Sequence, residues 1–492
     1  MKENLPEIVF GSSNKALSQR VSRWVKSGLL RKLAPRVYTS NFKDSDGIIV
    51  SRNLYLILGK LFPGALLSHR TALEGGPTED GNIFLTYKYS RKIDLSGISV
   101  HLLKGPEPTE YDMQFIEDLF MSSTPRAFLE NLQIARSRSS VPKILPKAAI
   151  EDRLDQLCRI QGEAALNRLR DEARVIAGLL HMEELFRKLN RMISAILRTR
   201  PSNELSSQQA RARSIGLPYD PGRLEVFNQL FSDLKQSELP TRRETRLTSR
   251  EIQFMAFFEA YFSNYIEGTE FEISEAYDIV FRQKIPAQRP EDAHDILGTF
   301  RIAGNSEEMN SIPDSFDEMI DLMKSRHHTI MEARPNKLPG EFKQKPNRAG
   351  ETYFVAPELV KGTLRKGFEM YRAFESGLAR AIFMMLIVTE VHPFFDGNGR
   401  VARIMMNAEL AHVNLCRIII PTVLRDDYLL ALRAMSRSRH SAPLINLMEF
   451  AQHFSSQLPL SSYGITSKVL TDCNAFKESD EARLQLPSTL SS

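Results

Sequence analysis

The sequence predicts a multidomain, mainly α-helical chain whose strands gather near the N-terminus. Three observations predict this. Residues 1–90 mix one basic helical run with short alternating segments. Residues 148–197 read as helix throughout and are heavily charged. Two runs rich in Ala, Leu and Met, Leu378–Val391 and Val401–Val413, flank a turn that contains glycines. A chain of 492 residues has room for about three domains with buried cores.

In the first forty residues Lys15, Arg20, Arg23, Lys26, Arg31, Lys32 and Arg36 face only Glu3 and Glu7 among acids. Ala16, Leu17, Val21, Trp24 and Val25 form an apolar helical stripe, with Arg20, Arg23 and Lys26 on other faces. Gly28 stops that helix, and Leu29–Tyr38 alternates through a Pro-containing turn like a two-stranded wing. A basic helix followed by a basic wing is how winged helix-turn-helix modules meet DNA, so these cations are candidate phosphate and groove contacts. With Leu67–Leu73 and the strand-like Ile83–Tyr87 behind it, the segment resembles the AbiEi-type antitoxin and regulator domain. The resemblance implies DNA as a partner.

Residues 91–145 read as an α/β continuation with a strand at Ile98–Leu103, and Ser137–Pro146 as a boundary. Residues 148–214 are expected to form a helical connector ending in a polar linker, Arg198–Ser214. A domain over 215–457 reads as almost all helix apart from one hairpin, and 461–492, Ser-rich and without sustained periodicity, reads as a frayed tail.

The chemistry concentrates in His392-Pro393-Phe394-Phe395-Asp396-Gly397-Asn398-Gly399-Arg400, followed by Arg403. Glycines let backbone N–H groups approach an anion, and a helix opening near Gly399 presents its positive end. Arg400 and Arg403, at i and i+3, suit successive phosphates through charge-assisted bonds roughly twice as strong as neutral ones. Asp396 is the natural magnesium ligand, because magnesium on phosphates takes one or two protein carboxylates. His392 is left as the general base. Gly397–Ala402 also satisfies the G-x-G-x-x-A dinucleotide pattern, which would require Ala381–Val388 to be a strand.

The run resembles the Fic motif, His-x-Phe-x-Asp/Glu-Gly-Asn-Gly-Arg-x-x-Arg, and agrees at every defined position. The resemblance implies His392 as base, Asp396 on magnesium, and Gly397, Asn398, Gly399 and Arg400 on the α- and β-phosphates. It places Arg403 on the γ-phosphate and Phe394 as the buried anchor of the loop. Fic enzymes usually transfer AMP from ATP to a Ser, Thr or Tyr hydroxyl of a protein.

Upstream, Ser263-x-x-x-Glu267-Gly268 resembles the Fic inhibitory motif and lies on an amphipathic run, Ile252–Ile266, closed by Gly268. The resemblance implies that Glu267 pairs with Arg403 and misaligns ATP; in some relatives the same glutamate supports AMP removal. Pro339–Lys343 and Glu351–Pro357 resemble the hairpin flap beside a Fic active site, with Thr352, Tyr353, Phe354 and Val355 as the strand that would align an extended target. His69 and the pair His327-His328 read as structural or surface histidines.

A net charge of +5 does not by itself indicate nucleic acid. Cys158, Cys416 and Cys473 have no zinc or redox spacing, no signal peptide opens the chain, and no apolar run reaches the roughly 18–20 residues of a membrane span. A cytoplasmic location without a membrane partner is expected. The expected function is an autoinhibited, magnesium-dependent AMP transferase acting on a hydroxyl-bearing protein, itself included, with a DNA-binding regulatory domain. The alternatives are an antitoxin-like DNA-binding regulator using the Fic domain as a nucleotide switch, or a Fic enzyme that removes AMP, transfers UMP or phosphorylates. Oligomeric state stays open, a homo-oligomer included.

Overall fold

A computed structural model describes residues 5–12, 14–134, 141–199, 205–244, 247–375 and 377–487. The chain divides into two compact units, Met1–Gly216 and Leu217–Ser492.

In the first unit, strand β1 (Ile8–Phe10) leads into helix α1 (Lys15–Lys26), then β2 (Arg31–Ala34) and β3 (Val37–Thr39), which form an antiparallel sheet in the order β1-β3-β2. The Asn14 side chain caps α1 by accepting from Ala16 and Leu17, and Arg23 and Lys26 suit its negative end. α1 lies between two strands, so no helix directly precedes it as in a helix-turn-helix. The apolar stripe read from the sequence is largely uncovered: Val21 is buried, whereas Ala16, Leu17 and Val25 are exposed. Arg20 lies 4.7 Å over the Trp24 ring. Arg20, Arg23, Lys26, Lys32 and Arg36 are exposed, but Arg31 is committed to Asp46 and to the carbonyls of Asn41 and Asp44.

Residues 1–90 and the α/β continuation expected over 91–145 share one sheet. This six-stranded mixed sheet is ordered β6-β7-β5-β4-β9-β8. It is built from β4 (Leu66–Leu67), β5 (Asn82–Tyr87), β6 (Arg91–Leu95), β7 (Ile98–Lys104), β8 (Met113–Gln114) and β9 (Phe120–Met121). β5 and β7 pair in parallel from Asn82↔Ser99 to Tyr87↔Lys104, and Ile83, Leu85, Val100 and Leu102 fill one core.

Helices α2 (Lys147–Gln161), α3 (Glu163–Leu180), α4 (Glu183–Ile196) and α5 (Gln208–Ser214) share a core that includes Leu154, Leu166, Leu189 and Ala210. The expected linker is therefore partly helix. Buried Glu151 anchors its start by accepting from the backbone N–H groups of Ser206 and Ser207. Residues 200–204 of that linker and 135–140 around the expected boundary lie outside the described residues.

The second unit contains α6 (Pro221–Gln236), α7 (Ser249–Ile266), α8 (Pro290–Ala303), α9 (Phe316–Met331), the short hairpin β10 (Arg348–Ala349) and β11 (Thr352–Tyr353), α10 (Leu378–Val391), α11 (Asn398–His412), α12 (Arg425–Ser438) and α13 (Tyr463–Asp472). α10 buries side chains all round, as an inner helix of a bundle must. Because Ala381–Val388 is helix, the βαβ setting of a dinucleotide site is absent here. α7 opens with a capping box between Thr248 and Glu251, and its run Phe254–Asn264 is enclosed on all faces rather than amphipathic.

The tail prediction for 461–492 fails on α13. Ser462 caps this helix, and Leu470, Cys473 and Ala475 are buried. Aromatic contacts supply what the apolar periodicity did not signal: Tyr463 lies 4.3 Å from Tyr277, and Phe476 stacks on Phe262 at 5.3 Å. The three cysteines are free and buried. Among the described residues, no helix is long and apolar enough to cross a membrane.

Candidate active site

The turn between α10 and α11 carries the motif. His392 caps α10 at φ 51°, a left-handed conformation unusual for a residue with a side chain and one often found at functional sites. Its Nδ1–H donates to the Thr389 carbonyl at 3.2 Å, which leaves the Nε2 lone pair available as a base. Phe354 from the end of the flap stacks on the imidazole at 3.7 Å and 4°. Burial holds the imidazole down to about 4, so it is neutral near pH 7.

Phe394 is fully buried, with His327 stacked on its ring at 3.8 Å. Asn398 braces the turn: its Oδ1 accepts from the Phe394 N–H and its Nδ2 donates to the Phe394 carbonyl. The amide oxygen and one Nδ2 hydrogen are engaged with backbone, so the side chain braces the loop, and the second Nδ2 hydrogen is left for the phosphate contact expected from the sequence. Gly397 has φ 72°, and a Cβ there would meet Met331 Sδ at 2.8 Å. Asp396 remains partly exposed. Its Oδ1 accepts from the Gly397 N–H at 2.7 Å, and Lys337 Nζ stands 3.3 Å from its Oδ2. Burial pushes this carboxyl up, but the Gly397 N–H, Arg400 and Lys337 outweigh it and hold it below its usual range.

The two arginines diverge. Arg403 faces a cavity of about 500 Å³ lined by Glu267, Phe354, His392, Gly399 and Tyr428. Its Nε donates to Ser263 Oγ at 2.9 Å and its Nη2 to the Ser263 carbonyl and to Glu267 Oε1, at 2.8 and 2.7 Å. Burial raises the Glu267 carboxyl, and Arg403 and Arg400 pull it further the other way, leaving it ionised. The Glu267 carboxylate lies against the α-carbon of Gly399, in the space any Cβ there would need. Gly268, at φ 87°, ends α7 beside it.

Arg400, expected to face the same anion, turns into the protein. It donates to Asp295 Oδ2 at 2.6 Å and to Asn264 Oδ1 at 3.3 Å. Asp295 is buried and also binds Arg334, so a fixed carboxylate sets the direction of Arg400. No feature of the sequence around Asp295 signals this.

The flap strand is shorter than expected. β11 ends at Tyr353, Phe354 rests on His392, and Val355 is buried in the helical core. Arg223 of α6 donates to the Tyr353 carbonyl, and Arg437 to Thr352 Oγ1 at 3.2 Å. Lys343 runs beneath the motif: its N–H donates to the Pro393 carbonyl, and its Nζ donates to Asn347 and lies 3.3 Å from the Val391 carbonyl. Asn347 in turn donates to the Phe394 carbonyl. Burial pushes the Lys343 ammonium down to about 7.

His327 was expected on a helix surface and is instead fully buried against the motif. Burial lowers its imidazole to about 4. His69 is also buried, and is hydrogen bonded to Ser68 and Gln133.

Residues 317–410 match the sequence model of the Fic/DOC family. The chain carries a Fic domain. A curated relative, a Fido domain-containing protein of Dictyostelium discoideum, is 28% identical over 103 residues, which cover 20% of this chain and 72% of the relative. Among solved structures, a Fic domain-containing signaling protein from Bacteroides thetaiotaomicron is 18% identical with a TM-score of 0.37, over 48% of this chain and 95% of that one. Fic-1 from C. elegans is 18% identical with a TM-score of 0.36, over 67% and 95%. IbpAFic2, solved with adenylylated Cdc42, is 16% identical with a TM-score of 0.30, over 62% and 93%. In this Fic domain the matched segment spans His327, the flap and the whole motif, while Ser263, Glu267 and Asp295 lie upstream of it.

Proposed function

We propose that the Fic domain transfers AMP from ATP to a hydroxyl side chain of a protein, and that Glu267 restrains the reaction by occupying Arg403. The observation that carries this is one cavity lined by an unprotonated histidine, a glycine at a helix start, and an arginine already bound to a carboxylate. His392 Nε2 takes the proton of the target hydroxyl as its oxygen attacks the α-phosphorus. The bond from that phosphorus to the bridging oxygen breaks and pyrophosphate leaves. The N–H groups opening α11 face the charge that grows on the α-phosphate. Arg403 takes the γ-phosphate once Glu267 withdraws, because the two anions compete for one guanidinium.

Magnesium fits the residues present. Asp396 offers one partly exposed, hard carboxylate, the usual protein share when phosphates and water supply the other ligands. When bound there, the ion would neutralise phosphate charge. Lys337 must yield its place beside Oδ2.

A regulatory reading of the first unit has support of its own. Arg20, Arg23, Lys26, Lys32 and Arg36 are exposed on α1 and the β2–β3 hairpin, as a phosphate-binding face requires. On this reading the unit binds DNA and belongs to an AbiEi-like regulator. Replacing Arg20, Arg23 and Lys26 together should abolish salt-sensitive DNA retention by the full chain; no retention by the wild type would overturn it.

The deciding test of the enzyme uses wild type, His392→Ala and Glu267→Gly with α-labelled and, separately, γ-labelled ATP. Protein-bound α-label should be weak in wild type, strong in Glu267→Gly and absent in His392→Ala. Label from the γ-phosphate would establish phosphorylation instead.

A further inference from the structure

We infer that His327 is a positioning residue that aims the Asp396 carboxylate at the cation site; this rests on the magnesium site proposed above at Asp396. His327 does not line the cavity, so it acts through the loop it touches. Its Nδ1 accepts from the Gly340 N–H at 2.9 Å. An imidazole nitrogen that accepts carries no proton, so in the neutral ring the proton is on Nε2, which donates to the Asp396 carbonyl at 3.1 Å. The ring face lies flat on Phe394 at 3.8 Å and 6°, which fixes its plane.

The position of that carbonyl gives the contact its consequence. The Asp396 carbonyl and the Gly397 N–H belong to one peptide unit, which is planar and rigid. At one end His327 grips the oxygen; at the other the N–H holds Asp396 Oδ1 at 2.7 Å. Turning the peptide moves both ends together, so a bond at the carbonyl sets where the carboxylate points. Gly397 allows this arrangement because a Cβ there would strike Met331 and lie 3.5 Å from His327 Cδ2. Gly340, which orients the other side of the imidazole, belongs to the segment leading into the flap and has φ 78°. One buried ring thereby ties the flap base to the motif.

Three substitutions in full-length Glu267→Gly protein separate the parts of this role. His327→Gln keeps a donor near the Nε2 position, His327→Asn keeps an acceptor near Nδ1, and His327→Phe keeps only the stacked ring. The readouts are Mn2+ binding in the presence of a non-hydrolysable ATP analogue, followed by electron paramagnetic resonance, and analogue affinity in EDTA. Residues behind a metal ligand typically change metal affinity about 10–100-fold. His327→Asn and His327→Phe should weaken Mn2+ binding at least about ten-fold without changing analogue affinity in EDTA, while His327→Gln stays within about three-fold of its parent. Equal Mn2+ affinity in all three, or His327→Gln as weak as His327→Asn, would overturn the inference.

Should a variant not fold, 15N spectra of histidine in the parent chain decide it. A proton on His327 Nε2 supports the bridge, and one on Nδ1 excludes it. Absence of α-label with intact Mn2+ behaviour would reject the transfer reaction and leave the role of His327 standing. Absence of Asp396-dependent Mn2+ binding would reject both.

Discussion

Arg403 Nη2 meets Glu267 Oε1 at 2.7 Å across the start of α11, with the α-carbon of Gly399 packed against the same carboxylate. The pair joins residues 136 positions apart and places an anion of the protein where the proposed reaction needs one from the nucleotide.

Freeing the arginine should tighten nucleotide binding. Hydrogen bonds to charged groups contribute about 1.5–3 kcal/mol, so Glu267→Gly is expected to raise ATP affinity by about 10–100-fold, as read by calorimetry. Arg403 retains Ser263 as a partner and stays folded in place. Unchanged affinity would mean that the carboxylate does not compete.

Gly399→Ala should expose the same crowding by a different route. The added methyl collides with Glu267, and overpacking of this kind costs about 1–3 kcal/mol. In the Glu267→Gly background the main obstacle is gone and only Arg403 Nη1, at 3.0 Å, still crowds the methyl, so the two thermal shifts should be strongly non-additive. Simple additivity would contradict the contact.

Asn398→Ala removes both bonds to Phe394 and is expected to destabilise the Fic domain by about 1–3 kcal/mol in urea titrations. Its effect on turnover should exceed its effect on nucleotide affinity, because the side chain braces the loop. A selective loss of nucleotide affinity would return Asn398 to the ligand shell.

The pH profile of kcat/KM should place the acid limb well below the usual histidine value of about 6.5. Burial holds His392 at about 4, so the base stays unprotonated and active down to that region and is lost below it. The depressed value also has a stability sign. The unfolded chain binds the proton first, so this contribution is intact above about pH 6.5 and is lost as pH falls toward about 4. An acid limb near 6.5 would show that His392 is solvated in the working enzyme.

Much of the Fic site was legible because it is local. His392 to Arg403 form one turn and one helix start, and spacing alone brings their backbone into a single loop. Glu267 was legible only through resemblance, since nothing in residues 263–268 by themselves points to Arg403. Asp295, His327 and Lys337 were not legible: each is an ordinary helix or loop residue whose partner lies 59 to 105 positions away. The tail was misread for a related reason, since isolated aromatics such as Tyr463 and Phe476 reveal themselves as core only against the aromatics of α7 and α8's neighbour Tyr277. In the first unit the alternation found the strands but could not tell that residues before and after 90 share one sheet.

The segment after α12 packs on the helix that carries Glu267. Phe476 packs on Tyr261 and Phe262, and Tyr265 donates to Glu478 at 2.5 Å, all on the helix that delivers Glu267. If Glu267 restrains transfer as proposed, its hold on Arg403 would respond to packing on this face. On that proposal, sequence drift in residues 463–478, or a fusion partner placed beside them, would act as a volume control on the catalyst while every residue of the motif stays unchanged.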